Sequence, residues 1–344
     1  MVIRLRLATF NVENLDDQPG QKPTLAERKA LMQPQLRRID ADVLCLQEVH
    51  GQDDGNDRRL RALDELLAGT QYVGFNRAFT TTSAGKVFQE RNLVVLSRFP
   101  VIASEQLNQD LVPGPQYQRV TAIPPDTAAR LVNWERPILH VELELPGSRR
   151  LHGVNVHLKS KNPVDLPGQQ IQPPGANFSV WKSASGRAEA SFISSMKRVG
   201  QALEVRRLVD NLFDAAPGAL LAVCGDFNAD IDEVPMQAIR GDVEDTENPA
   251  LAVRVLVPCE RSVPEPARYS LIHHGGARCW TTSSLLEPFW PLIGTPRSTT
   301  SCSTMSRSRL PSIRSFPNQT MPRSSLRSNC RMHSGCVKSC RSEY

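Results

Sequence analysis

Ala222-Val-Cys-Gly-Asp-Phe-Asn-Ala-Asp230 is the stretch on which the fold of this chain turns. The apolar run Ala219 to Cys224 reads as a buried strand, and Gly225 lets the backbone turn sharply where the run ends. Asp226 and Asn228 stand two apart, so in an extended tip their side chains project to the same side. A carboxylate beside an amide then lies at the end of a central strand, where open α/β sheets carry their chemistry. Such a carboxylate can take a proton from water or hold a cation, and the amide can bind a phosphoryl oxygen. An Asx turn that merely closes a strand uses the same residues, so the other strand ends have to decide between the two readings.

Bulk properties narrow the field. A chain of 344 residues is long enough for one large domain or two smaller ones. Its net charge of +5 suggests a polyanion partner until the charges are located. Residues 279–344 hold nine Lys/Arg against two Asp/Glu, which leaves 32 against 34 in the body. The basicity therefore belongs to the tail and says little about what the folded part binds. Val2-Ile-Arg-Leu-Arg-Leu-Ala-Thr-Phe10 runs straight into a strand, with no signal core and no membrane span, so a soluble, cytoplasmic monomer is expected. Cys45 and Cys224 sit inside apolar runs and read as reduced core residues, which implies no disulfide framework.

Along the chain, residues 24–40 read as a helix that Pro34 should kink or split. Asp42-Val-Leu-Cys-Leu-Gln-Glu48 is a buried strand ending on two polar residues, and a helix from Asp57 to Leu67 follows. Strands are expected at Tyr72–Phe79, Asn92–Ser97, Val101–Ser104, Tyr117–Ile123, Arg136–Leu145 and Arg150–Leu158. Asn162 to Ser185 is rich in Pro, Gly and Gln and reads as a long loop, of the kind that serves function or moves. Gly186 to Phe213 carries a helical period, with Val199, Leu203, Val205, Leu208, Val209 and Leu212 as its apolar stripe.

Four strand ends thus present polar groups: Asn11, Gln47-Glu48, Asn155-x-His157 and Asp226-x-Asn228. Each alone has an ordinary explanation, a solvated carboxylate, a structural histidine or a turn former. Together, and in this order, they resemble the endonuclease/exonuclease/phosphatase family. The matching segments are Ala8-Thr-Phe-Asn-Val-Glu-Asn14, Asp40-Ala-Asp-Val-Leu-Cys-Leu-Gln-Glu-Val49, Leu93-Val-Val-Leu-Ser-Arg-Phe-Pro100, Gly153-Val-Asn-Val-His-Leu-Lys159 and Cys224-Gly-Asp-Phe-Asn228.

The resemblance implies an α/β fold, a four-layer sandwich of two mixed β-sheets flanked by helices, over residues 1–278. It implies that Glu48, helped by Asn11, holds Mg²⁺ or Mn²⁺ through hard oxygen ligands. Asp226 would orient or deprotonate the attacking water, and Asn228 would bind the phosphate. His157, with Asn155 nearby, would hydrogen-bond the phosphate or protonate the leaving group. Lys159 and Lys161 would add positive potential at the substrate, while Arg136 serves the scaffold. The substrate is a phosphodiester, with nucleic acid as the leading reading. Another phosphate ester, a lipid phosphodiester, or a binding protein that has lost catalysis are the alternatives.

The family pattern then breaks. It requires an Asp-His after a Tyr-Ser strand and a terminal Ser-Asp-His, and Tyr269-Ser-Leu-Ile272 approaches the first. Beyond Arg278, however, the chain has fifteen Ser, no Asp and only His333. The genetic code accounts for the break. Read from the third base of each codon, Cys279-Trp-Thr-Thr282 becomes YTG, GAC, NAC, which forces Leu-Asp and permits His. The same shift on Asn318-Gln-Thr-Met-Pro322 permits Ser-Asp-His and forces Ala. A frameshift near Arg278 is therefore expected, with 279–344 an out-of-frame Ser/Arg-rich tail, an incomplete second sheet and impaired activity.

Overall fold

Alternation along the strands sets the layers. In the computed structural model β1 (Leu7–Leu15), β2 (Val43–Val49), β3 (Asn76–Phe79) and β4 (Asn92–Ser97) form a sheet of order β1-β2-β4-β3. The second sheet contains β5 (Val101–Leu107), β6 (Ile138–Leu145), β7 (Arg149–His157), β8 (Leu220–Asp226), β9 (Leu256–Pro258) and β10 (Thr281–Leu286). Its order is β9-β10-β8-β7-β6-β5. Each sheet has one parallel pair, β1 with β2 and β7 with β8, among antiparallel neighbours, so both are mixed. The structure describes residues 5–244, 246–262, 264 and the strands Leu271–His273, Gly276–Arg278 and Thr281–Leu286. All of these belong to the first of the two units into which the chain divides, Met1–Ser306 and Arg307–Tyr344.

Odd and even positions then part company. Val43 and Cys45 of β2 and Leu93 and Val95 of β4 share one buried cluster with Leu139, Val141, Ala222 and Cys224 of the second sheet. Their neighbours Leu44, Leu46, Val94 and Leu96 pack outward against α1 (Leu25–Ile39) and α2 (Arg61–Leu67) through Met32, Leu36, Leu63 and Leu66. On the opposite side Val154, Val156, Leu221 and Val223 meet α3 (Ala184–Ala215) and α4 (Val234–Arg240). The result is the expected helix, sheet, sheet, helix order. Each fully buried aliphatic side chain contributes about 1.5–3 kcal/mol, so the sandwich rests on these three clusters.

Registers and one glycine aim the strand ends. Pairing of β7 with β8 puts His157 beside Asp226, and pairing of β1 with β2 puts Asn11 beside Gln47. Gly225 has φ +153°, and a Cβ there would stand 2.1 Å from the Val156 carbonyl oxygen. Only glycine lets the two central strands approach this closely at the tip.

Several local expectations change. Pro34 lies within one continuous helix, on its exposed face, where water can satisfy the carbonyl that loses its partner. The expected helix from Asp57 is first a hairpin, Gln52–Asp54 with Asp57–Arg59, turned by Gly55 at φ +67°. Gln71–Gly74 is a 3₁₀ turn before the shorter strand β3, and of the expected Tyr117–Ile123 strand only Tyr117 pairs, at the end of the short strand Gln116–Tyr117. In α3, Leu203 is exposed and Ala202 takes its place in the buried stripe. The 162–185 loop contains a short hairpin, Gln170–Ile171 with Val180–Trp181. Past the composition break, β10 sits in the interior of the second sheet between β8 and β9. Backbone pairing asks only for extended residues, and Thr281-Thr282 supplies β-branched ones. Asn318–Pro322 and the rest of 287–344 lie outside the described residues.

Candidate active site

The tips of β1, β2, β7 and β8 meet at one edge of the sandwich. Asn11 Nδ2 donates to Glu48 Oε1 at 3.0 Å and to Asp226 Oδ2 at 2.8 Å, so one amide bridges carboxylates from both sheets. His157 Nε2 faces the same two oxygens, 3.6 Å from Glu48 Oε1 and 3.8 Å from Asp226 Oδ2. The outer oxygens are anchored to backbone instead. Glu48 Oε2 accepts from the Asn14 amide at 3.0 Å, and Asp226 Oδ1 accepts from the Asn228 amide at 3.0 Å. Each carboxylate therefore spends one oxygen on its mounting and turns the other toward a shared space.

The electrostatics of that space are strained. Burial pushes the Asp226 carboxyl up to about 6; Glu48 adds to the rise, while hydrogen bonds from Asn11 and Asn228 and the Arg136 charge oppose it. Burial, with the cations Arg136, Arg91 and Lys159, holds His157 well below its ordinary value, so its imidazole is neutral. Two carboxylates thus crowd a buried corner whose histidine supplies no compensating charge.

A divalent cation fits this donor set. One ligand atom each from Glu48, His157 and Asp226 lies within 4.8 Å of the others. Carboxylate oxygens suit Mg²⁺ and Mn²⁺, and the His157 nitrogen faces the same space. Binding there would relieve the repulsion that Asp226 registers. Asn11 contributes by orienting both carboxylates, since its side-chain oxygen already accepts from the Glu13 amide at 2.8 Å.

Other expected site residues fall differently. Asn155 is wholly buried and does not reach the centre. Its amide donates to the carbonyls of Leu46 (3.0 Å) and Val94 (3.1 Å), and its oxygen accepts from Gln47 Nε2 at 2.8 Å. All its polar atoms bolt one sheet to the other. Asn228 is in the left-handed region at φ +48° and donates Nδ2 to the Leu158 carbonyl at 3.0 Å, so the Asx turn and the site occupy the same residues. Lys159 directs Nζ to Ser160 Oγ at 3.1 Å and the Asn162 carbonyl at 3.4 Å. Lys161 pairs with Glu233 at 2.7 Å and Asp230 at 3.5 Å.

Arg136 does support the scaffold, with Nη1 at 3.4 Å from the His157 and Leu158 carbonyls, and its charge also acts on Glu48 and Asp226. Sequence reasoning passed over Arg28 and the Asn14 amide. The signal was present: Arg28, Met32 and Leu36 are the buried residues of α1, at intervals of four, so a cation stands within an apolar stripe.

A mixed two-sheet sandwich with carboxylates and a histidine gathered at its strand ends carries donors of the kind that metal-assisted phosphoester hydrolysis uses. The chain belongs to the Endonuclease/Exonuclease/phosphatase family, which it matches over residues 8–303. It is an enzyme of the metal-dependent phosphoesterase and nuclease kind. Among solved structures it is similar to truncated TDP2 from Caenorhabditis elegans, at 15% identity and TM-score 0.47, covering 82% of this chain and 84% of that one. The human Nocturnin catalytic domain aligns at 14% identity and TM-score 0.44, covering 83% and 85%. A mannosyl-6-phosphatase from Bacteroides thetaiotaomicron aligns at 10% identity and TM-score 0.48, covering 82% and 85%. No curated protein sequence matches the chain. Among the described residues no helix is long and apolar enough to cross a membrane.

Proposed function

We propose that this site hydrolyses phosphodiesters of nucleic acid with Mg²⁺ or Mn²⁺, and that the chain is impaired beyond Arg278. The observation that carries the first part is the convergence of Glu48, Asp226 and His157 on one space, with Asn11 bridging the carboxylates. The cation, when bound, neutralises the scissile phosphate and the leaving oxygen. Glu48 and Asn11 hold its side of the site. Asp226 orients the attacking water and can take its proton. The neutral His157 hydrogen-bonds a phosphate oxygen, and Asn228 fixes the Asp226 carboxylate from behind through its amide.

Register supports the second part. Thr281 is the strand partner of Asp226 and Thr282 that of Gly225. The shifted reading of Cys279–Thr282 places an Asp and a permitted His within a residue of those positions, next to the carboxylate that needs them. A chain with threonines there lacks an acid and a base at its reacting centre. Losing members of such a unit costs on the order of 10³-fold or more in rate.

The test compares this chain with its frame-restored version against a generic phosphodiester and single-stranded DNA, with Mg²⁺ and with Mn²⁺. The restored enzyme is expected to turn over both substrates and this chain neither. Equal activity of the two overturns the impairment. Hydrolysis of the small ester alone by the restored enzyme overturns the nucleic-acid assignment.

A further inference from the structure

We infer that Arg28 is the positioning residue of the metal centre, acting from α1 through the backbone bulge that mounts Glu48. The inference rests on the reading that Glu48 holds a divalent cation.

Between Asn11 and Leu15 the β1–β2 register shifts. The residues that bulge there include Glu13 and Asn14, both left-handed at φ 48° and 51°. Neither is glycine, so the conformation is unfavourable by itself and needs support from its surroundings. Val12 and Leu15 pin the two sides of the bulge in the core, at 1% and 0% exposure. Its carbonyls leave the ladder, the one of Val12 buried and those of Glu13 and Asn14 part-buried. Buried carbonyls need donors.

Arg28 supplies donors to all three, joined at the Asn14 carbonyl by Gln21 Nε2 at 3.4 Å. It is 5% exposed, and its Nη2 stands 2.6 Å from both the Val12 and the Glu13 carbonyl oxygens, with Nη1 3.4 Å from that of Asn14. One guanidinium thereby holds three successive peptide units. The same segment delivers the Asn14 amide to Glu48 Oε2, while Glu48 itself is held at φ +62°. Asn11, at the start of the bulge, holds the other oxygen. The guanidinium charge also acts on Glu48 and on Glu13. A planar fork can serve carbonyls in different directions at fixed angles, which a single ammonium cannot. Partners that orient a metal ligand without touching the metal commonly set affinity by ~10–100-fold.

A purely structural buried arginine is available for contrast in the same molecule. Arg206 is 9% exposed and its Nη1 reaches the carbonyls of Ile239, Arg240 and Arg254, beside α4 and away from the strand tips. Removing either cation takes a donor from several carbonyls at once. Only one of the two removals should reach the metal.

The experiment titrates Mn²⁺ into wild-type protein, Arg28→Met, Arg28→Lys, Arg206→Met and Glu48→Gln, by the loss of the free-ion electron paramagnetic resonance signal. Circular dichroism checks the fold of each. Amide exchange over residues 12–15 is followed in the metal-free state. Arg28→Met is expected to weaken Mn²⁺ binding by ~10–100-fold and to speed exchange at Asn14. Arg28→Lys should give a smaller loss of the same kind, and Arg206→Met should lower stability with Mn²⁺ affinity intact. Unchanged affinity in a folded Arg28→Met overturns the inference. Should that variant not fold, Arg28→Lys decides, and wild-type affinity there overturns it equally. Loss of binding in Glu48→Gln with both Arg28 variants unaffected sinks the role of Arg28 alone. Intact binding in Glu48→Gln instead removes the metal reading and the inference with it.

Discussion

Two polar tiers stand near the strand ends, sharing β2 and β7, and they are opposites. In the lower tier Thr9, Gln47 and Asn155 form a closed network, with Gln47 Nε2 donating to Thr9 Oγ1 at 3.0 Å and to Asn155 Oδ1 at 2.8 Å. Gln47 and Asn155 are wholly buried and neutral, and the amide groups of both have partners. In the upper tier Glu48, His157 and Asp226 are charged or titratable, and His157 Nδ1 is buried without a partner. The lower tier satisfies itself and joins the sheets. The upper tier is incomplete until something else arrives, which is how a binding site differs from a structural network of the same residue types.

Removing the reason for incompleteness should produce the largest effect. Glu48→Gln in the frame-restored enzyme takes away the carboxylate that both Asn11 and the Asn14 amide prepare. A fall in kcat/KM of about 10³-fold or more is expected, with loss of Mn²⁺ binding and a stable fold. An active Glu48→Gln enzyme would show that the upper tier is not the reacting centre. The reverse profile belongs to the lower tier. Asn155→Ala strands the Leu46 and Val94 carbonyls and a Gln47 donor in the interior, at a cost of about 2–4 kcal/mol in urea unfolding. Its Mn²⁺ affinity should stay close to wild type, and a large change there would merge the two tiers into one.

The same contrast explains what was legible in the sequence. Apolar runs ending on Glu48, His157 and Asp226 are visible without coordinates, because burial imposes a pattern and the residue at its end escapes it. The division between Asn155 and His157 is not visible. Both point inward from β7 at alternate positions, and only the opposing sheet decides which one meets carbonyls and which meets carboxylates. Arg28 showed only as a cation within the apolar stripe of α1, and its role stayed hidden because its partners are backbone oxygens of a bulge, which leaves no hydrophobic signature. Pro34 misled because its effect depends on which face of α1 carries it. The course of the chain past Arg278 was the hardest case, since β10 is held by backbone pairing that any extended segment can make.

A pH titration of the metal-free protein sharpens the comparison further. The Asp226 carboxyl is held at about 6 in the folded chain against an ordinary 3.8, so folding favours its protonated form. Its stabilising contribution is complete below the unfolded value and disappears as pH rises through about 6. Stability from this group should therefore fall between pH 4 and pH 7, by on the order of 2–3 kcal/mol. Asp226→Asn should flatten that slope, and saturating Mn²⁺ at neutral pH should offset it in the wild-type chain. A wild-type profile that rises with pH, with no change in Asp226→Asn, would mean that the upper tier is not strained.

The smallest effect concerns the lysines beyond β7, and it separates a phosphate contact from ordinary loop anchoring. Ion pairs at the surface, such as the half-buried one of Lys161 with Glu233, contribute about 0–1 kcal/mol, so Lys161→Met should change stability little. Lys159 is the more telling position, because a lysine on a nucleic-acid phosphate releases a counterion when it binds. Removing such a contact lowers the slope of log affinity against log salt by about 1. The Lys159 ammonium is turned instead to Ser160 and the Asn162 carbonyl, and burial lowers its pKa, so it is poorly placed to meet a polyanion. Lys159→Met in the frame-restored enzyme should thus leave the salt slope for single-stranded DNA unchanged while loosening the 159–162 turn. A slope smaller by a full unit would show that this ammonium leaves the loop to follow the substrate, and would move the boundary of the upper tier outward to include it.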